Sequence, residues 1–441
     1  MSLTYALIIE LILLIDVTRR FRFLTAVHLV LLYIMCSQIV FFYGQHLVDD
    51  PGPESLLTYL SHVDFGVWTY LVIALITHSA TFFAAPPKAF STRLAMRGMV
   101  EAASRFIPYI ATLCGAYVVF QLVVIDHKSM MFHAWYGAAP SRYDSNAITA
   151  IFKLYSLVAI ISAAALPLAA RTQSRVYFIL LLFTTSWLFI YSLSSASRGA
   201  AVMVFVFAAA WLASAKRWHT AILIGNGLLL LIVLRSALTS RGYGEFGLIA
   251  LPGIIANGFD LSGGQLRSVV VNLFQGIFVT TDGLTMNATF NPIYAWLSYS
   301  PLPSTFDGFD TILRRYEIRL GLYVPMSAIS EAFLFGPVLL AVAVVTYWLA
   351  LRSTLVCLSK GYISASLFSS LFLFAVFVQA NAYPMRNTYR QFLIVIAINV
   401  VAMVFLKPGR LGGRLKQAIV PPQKKGRRRD IGNRSPSSVA F

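Results

Sequence analysis

Ser194-Ser195-Ala196-Ser197-Arg198-Gly199 separates two apolar runs, residues 176–194 before it and 200–215 after it, and the position of its arginine decides how the chain is read. A guanidinium near the hydrocarbon region of a bilayer costs on the order of a few kcal/mol even after snorkelling, so it needs an anionic partner. The second run ends at Lys216 and Arg217. As helix, the stretch from Arg198 to Lys216 rises roughly 27 Å, barely the thickness of a hydrocarbon core. Arg198 therefore belongs at the interface or just beneath it. Two readings stay open: Ser197 caps the next helix and the arginine reaches a lipid phosphate, or Arg198 holds the phosphates of a substrate.

Working outward, apolar runs of spanning or near-spanning length occur at 3–16, 23–44, 64–85, 107–126, 147–170, 176–194, 200–215, 218–234, 326–350, 361–384 and 389–406. With 441 residues, 58% hydrophobic, 12% charged and a mean hydropathy of +0.73, the chain is excluded from the water-soluble globular class. The expected fold is an all-α polytopic membrane protein with about ten or eleven transmembrane helices, the first run being short. Glu10 and Asp16 interrupt that run and no basic segment precedes it, so no cleavable signal peptide is expected. Cys36, Cys114 and Cys357 all lie in apolar runs without zinc-like spacing and read as buried free thiols.

A formal charge of +18 suggests nucleic acid until its placement is considered. Residues 17–22, 86–105 and 171–175, together with Lys216, Arg217, Arg352, Lys360 and the tail from Lys407, hold most of the basic residues. By the positive-inside rule this side is cytoplasmic, including the C-terminus, and nucleic acid is not needed as a partner. The tail, with Lys424-Lys425-Gly426-Arg427-Arg428-Arg429, reads as a disordered segment near anionic lipid. Four blocks follow: N-terminal transmembrane helices (1–234), a large extracytoplasmic loop (235–325), C-terminal transmembrane helices (326–406) and the tail (407–441). A loop of about ninety residues is usually functional. Its apolar stretches 248–255, 266–279 and 291–297 suit short helices lying on the membrane surface, a helical lid.

The basic residues left for the outer side are Lys128, Arg142, Lys153, Arg198, Arg235, Arg241, Arg267, Arg314, Arg315, Arg319, Arg386 and Arg390. All but Lys128 and Lys153 are arginine, whose planar fork binds phosphate bidentately where lysine is only a point charge. For a general base the outer side offers Glu245, Asp260, Asp282, Asp307, Asp310, Glu317 and Glu331. Glu331 stands out, because it sits inside the apolar start of the 326–350 run. Its alternative role is as structural partner of an arginine. The outer side carries no Asp-x-Asp, His-x-x-x-His or Cys/His cluster, so no metal or other cofactor is expected.

The Ser197-Arg198-Gly199 turn, the long outer loop before the third-last helix and the run Ser330-Glu331-Ala332-Phe333-Leu334-Phe335-Gly336 together resemble the Wzy-type polysaccharide polymerases, also called oligosaccharide repeat unit polymerases. The order of parts is similar over most of the chain, although each motif is short. The resemblance implies a GT-C-like, metal-independent glycosyltransferase at the outer face of a bacterial inner membrane. It would transfer a growing glycan from polyprenyl pyrophosphate to a lipid-linked repeat unit, with a chain-length regulator and a flippase as prospective partners. Arg198 and Glu331 would be the catalytic residues. Arg198, Arg235, Arg241, Arg314, Arg315, Arg386 and Arg390 would bind pyrophosphate. The related O-antigen ligases rely on a histidine in the long loop, and this chain has none after His219. A flippase or transporter of lipid-linked oligosaccharides is the other alternative, but it would carry two similar halves and many deep polar groups.

Overall fold

Each apolar run folds as helix because a helix satisfies its own backbone hydrogen bonds, the requirement that hydrocarbon surroundings impose. The computed structural model describes residues 2–21, 23–46, 63–82, 84, 104–170, 175–214, 220–241, 244–259, 274, 276–302, 309–321 and 324–405. Its helices are α1 (Ser2–Arg20), α2 (Ala26–His46), α3 (Val63–Ser79), α4 (Ile107–Val124), α5 (His127–Met131), α6 (Asn146–Phe152), α7 (Tyr155–Ala169), α8 (Arg175–Ser194) and α9 (Gly199–Ser214). They continue with α10 (Thr220–Ser240), α11 (Leu251–Phe259), α12 (Gly276–Thr285), α13 (Pro292–Ser298), α14 (Phe309–Tyr316), α15 (Ala328–Leu334), α16 (Pro337–Ser359), α17 (Ile363–Ala380) and α18 (Met385–Phe405). A two-stranded antiparallel ribbon, β1 (Arg319–Gly321) and β2 (Val324–Pro325), adds a small departure from the all-α expectation.

Among the described residues, five helical segments are long and apolar enough to cross a membrane: Ile107–Val124, Ala147–Ala169, Arg175–Ser194, Pro337–Ser359 and Met385–Phe405. Ala26–Val40, Gly199–Trp211, Ile224–Ser240 and Ala365–Ala380 are shorter apolar helices. A largely helical chain with these segments agrees with a polytopic membrane protein.

The helices pack in two groups that cut across the linear order. α1, α2 and α3 pack with α16, α17 and α18, while α4 and α7–α10 pack with one another. The core of the first group includes Val30, Leu31, Ile34, Val67 and Tyr70 from the N-terminal helices and Leu351, Leu355 and Leu373 from the C-terminal ones. α1 is a full member of this group. Gln38 Nε2 donates to Glu10 Oε1 at 2.8 Å, fastening it to α2, and both residues are fully buried.

Connections gather at two ends. At one, His78 Nε2 lies 2.8 Å from Asp16 Oδ2, Arg352 Nη1 donates to the Phe82 carbonyl at 2.8 Å, and the Tyr362 hydroxyl donates to that of Met403 at 3.2 Å. At the other, His133 and Phe246 exchange N–H···O=C bonds at 3.0 Å, and the Gly247 N–H reaches the Ser194 carbonyl at 2.9 Å. The candidate site lies at this second end.

Several boundaries differ from expectation. The 326–350 run is not one span: Gly336, at φ +97°, ends α15, and Pro337 starts α16 at a first-turn position where its missing N–H costs nothing. α10 continues to Ser240, which puts Arg235 inside a helix rather than in the loop. Most of the 266–279 stretch lies outside the described residues. Its described part belongs to α12, whose Gly276, Ile277, Val279, Thr280, Thr281, Gly283 and Leu284 are buried. Small residues allow this insertion: a Cβ on Gly283 would sit 2.5 Å from Ser330 Oγ, and one on Gly276 would sit 2.4 Å from Asn381 Cβ.

Buried hydroxyls lock α12 in place. Thr280 Oγ1 donates to Ser327 Oγ at 3.1 Å and accepts from the Tyr70 hydroxyl at 3.3 Å, while Ser330 Oγ donates to the Thr280 carbonyl at 2.9 Å. Tyr70 also donates to the Asn381 side-chain oxygen. A network whose members are all satisfied fixes one packing, because any slip would strand buried polar groups. The other two loop helices fit better with a surface role: Ile255 and Phe259 of α11 and Ile293 and Trp296 of α13 are exposed. The three cysteines are free thiols, with Cys114 and Cys357 buried and Cys36 half-buried.

Candidate functional site

The turn around Arg198 is built from its serines and one strained alanine. Ser194, Ser195 and Ala196 are buried, and Ala196 holds φ +48°, a left-handed conformation uncommon for a residue with a side chain. Ser197 Oγ accepts from the Gly199 N–H at 3.1 Å, starting α9 as a cap. Reversing the chain this tightly leaves the Ala196 carbonyl outside any helix, and Arg241 takes it. Its Nε and Nη2 both donate to that oxygen at 3.3 Å.

Arg241 is held from a third direction. Nη2 lies 2.5 Å from the Tyr136 hydroxyl, and the guanidinium stands 4.1 Å from the centre of the Tyr136 ring. Burial pulls the Arg241 pKa below its usual value; Tyr136 and Tyr383 oppose the shift, and the like charge of Arg198 adds to it. Two guanidiniums within electrostatic range of each other, with two phenols around them, form a locally positive corner. An anion placed there gains from both.

His133 braces this corner and was not foreseen, since histidine was sought only in the long loop. Nδ1 lies 2.7 Å from the Ser129 carbonyl and Nε2 2.9 Å from that of Gly137, and the ring stacks on Phe246. With both nitrogens facing carbonyls, the ring ties the 127–137 segment to Phe246. Gly247 completes the brace at φ +103°, where an added Cβ would stand 2.5 Å from the Met131 carbonyl oxygen. Gly247→Ala is therefore expected to cost on the order of 1–3 kcal/mol, read as a lower melting temperature in detergent. A variant melting with the wild type would contradict this close approach.

The other arginines have different surroundings. Arg386 is buried, donates to the carbonyls of Leu297 and of Leu302 (3.0 Å), and stands 3.9 Å from the centre of the Phe309 ring. Arg390 donates to the carbonyls of Ser300 (3.3 Å) and Leu302. Their forks hold the chain leaving α13. Arg235 is buried on α10, and Arg315 is exposed over the Tyr316 ring. The Arg314 and Asp310 side chains, Arg267, Asp260, Asp307 and the basic tail lie outside the described residues.

Glu331 is fully buried on α15, which precedes the spanning helix α16. Its Oε1 accepts from the Tyr294 hydroxyl at 2.8 Å and its Oε2 from the Met385 N–H at 2.6 Å, the first N–H of α18. Both oxygens are occupied and the side chain is closed to solvent, so in this arrangement Glu331 positions the start of α18. Burial raises its pKa from 4.5 to about 7, opposed by those two hydrogen bonds and aided by the charge of Glu317. A folded-state pKa above the unfolded value contributes stability that is present below about pH 4.5 and is lost as pH rises through about 7. The wild-type melting temperature is accordingly expected to fall between about pH 5 and 8, with a flatter profile for Glu331→Gln. Equal slopes would contradict the assignment.

Of the remaining carboxylates, Glu245 is exposed. Asp282 is half-buried, and its Oδ1 makes no hydrogen bond among the described residues. Glu317 pairs with Arg319, Oε2 accepting from Nε at 2.8 Å and lying 2.7 Å from Nη2. Among the described residues no group of three or more His, Cys, Asp or Glu side chains comes together. Comparison of the chain with protein-family models, with curated proteins and with solved structures gives no match.

Proposed function

We propose that this chain is a membrane glycosyltransferase of the polysaccharide-polymerase kind. It moves a glycan from a polyprenyl pyrophosphate carrier to a lipid-linked repeat unit at the outer face of a bacterial inner membrane. The observation that carries the reading is the pairing of Arg198 with Arg241, from different segments, on one braced turn at an end of the bundle. The basic-rich end, with Arg20, Arg352 and Lys360, then faces the cytoplasm together with the tail.

Pyrophosphate is already a good leaving group, so the protein's main task is to stabilise departing charge. Arginine donors fixed in advance do this without reorganising during the reaction. Arg241 is fixed by the Ala196 carbonyl and Tyr136, against the turn that carries Arg198. The carrier's hydrocarbon chain stays in the bilayer, which explains why a soluble-chemistry site is built at the end of spanning helices.

Arg241→Lys keeps the charge and loses the fork. Binding of polyprenyl pyrophosphate to the detergent-solubilised protein is expected to weaken about tenfold, consistent with the loss of one bidentate contact. Unchanged binding would remove Arg241 from the phosphate site.

A further inference from the structure

A polar chamber lies between α14, the β ribbon and the start of α18. It has a volume of about 380 Å³ and is walled by Phe309, Glu317, Arg319, Tyr383, Arg386 and Asn387. Tyr383 connects it to the arginine pair, since it both lines this chamber and acts electrostatically on Arg241. The wall chemistry is mixed: two aromatic rings, an amide, a carboxylate and two guanidiniums, of which buried Arg386 is held by backbone carbonyls and the Phe309 ring. A phosphate would meet the Glu317 carboxylate here. A sugar ring suits the lining better, with its C–H face against an aromatic ring and its hydroxyls on the amide, carboxylate and guanidinium.

Glu317 has the geometry that Glu331 lacks. Arg319 engages only Oε2, and Oε1 makes no hydrogen bond among the described residues. The side chain is 13% exposed, so it is shielded yet reachable from the chamber. Arg319 keeps the carboxylate oriented while one oxygen remains open to accept a proton.

Resting on the transferase reading above, we propose that this chamber binds the acceptor sugar and that Glu317 is the general base. The acceptor hydroxyl gives its proton to Glu317 Oε1 as its oxygen bonds to the anomeric carbon of the donor glycan. The anomeric C–O bond to pyrophosphate breaks, and its electron pair leaves on the pyrophosphate oxygen beside Arg198 and Arg241. Glu317 then returns its proton to water. Asn387 orients the acceptor by its amide.

The test uses the full chain in liposomes with polyprenyl pyrophosphate-linked oligosaccharides, comparing wild type, Glu317→Gln and Asn387→Ala. Binding of carrier-free repeat-unit oligosaccharides is followed in parallel by saturation-transfer NMR. Glu317→Gln is expected to lower kcat by on the order of 10²–10⁴ while donor binding and melting temperature stay near wild type. Asn387→Ala is expected to raise the acceptor KM more than it lowers kcat and to weaken the NMR signal. A wild type that elongates beside an equally active Glu317→Gln overturns the base and leaves the transferase reading standing. Loss of donor binding or of folding in Glu317→Gln overturns it too, by making Glu317 structural. A wild type that binds carrier-free oligosaccharide through Asn387 without elongating any lipid-linked unit overturns the transferase reading and the base with it, but keeps the sugar chamber.

Discussion

Arg198→Ala and Arg241→Ala are each expected to lower glycan elongation by about 10²–10³-fold, the loss typical when one preorganised donor to a developing negative charge is removed. The two should not add. Arg241 donates twice to the Ala196 carbonyl, two residues from Arg198, so removing it also loosens the turn that carries its neighbour. The double variant is therefore expected to fall only slightly below the worse single one. Lysine at either position should recover part of the rate, because charge remains while the fork is lost. A full multiplicative loss in the double variant would show two independent sites and contradict the shared one.

Glu331→Ala is expected to have the largest effect on stability. It would leave the Tyr294 hydroxyl and the Met385 N–H without their carboxylate in a fully buried place. Each stranded donor costs on the order of 1–3 kcal/mol, so the sum is a large part of what a domain has to lose. Glu331→Gln should be much milder, since the side-chain oxygen still accepts one of the two bonds. The check is a denaturation series in detergent for both variants, with Tyr294→Phe as a third, expected to lie between them. If Glu331→Ala melts with the wild type, the residue does not hold the start of α18.

How much of this could be read from the sequence depended on whether a feature is local. Helices over the apolar runs and the Ser197 cap follow from residues close together in the chain. The Gly336-Pro337 break was present as a pair of letters, but the apolar residues on both sides hid it. The insertion of α12 was also written locally, as Gly276, Gly283 and two threonines on a short apolar stretch. That pattern suits close helix packing as well as a surface helix, and only the partners α2, α3 and α15 decide between them.

The site was legible in type and not in membership. The arginine bias of the outer segments was visible, yet which arginines converge depends on contacts far apart in sequence. Arg241 meets Tyr136 across 105 positions, and Arg386 meets Leu297 across 89. No spacing announces that Arg386 and Arg390 hold the α13 exit while Arg198 and Arg241 form the pair. The role of Glu331 stayed open for a related reason. An acid in an apolar run signals that it must be paired, and here its partners are a phenol and a helix N-terminus rather than a substrate.

The most direct test is elongation by the purified wild-type chain, reconstituted in liposomes and supplied with polyprenyl pyrophosphate-linked oligosaccharides of several repeat-unit types. The expected result is a ladder of longer lipid-linked glycans, with one polyprenyl pyrophosphate released per bond formed and strong dependence on Arg198 and Arg241. A folded wild type that moves the lipid-linked unit across the bilayer, or leaves it untouched, and never lengthens it would contradict the account.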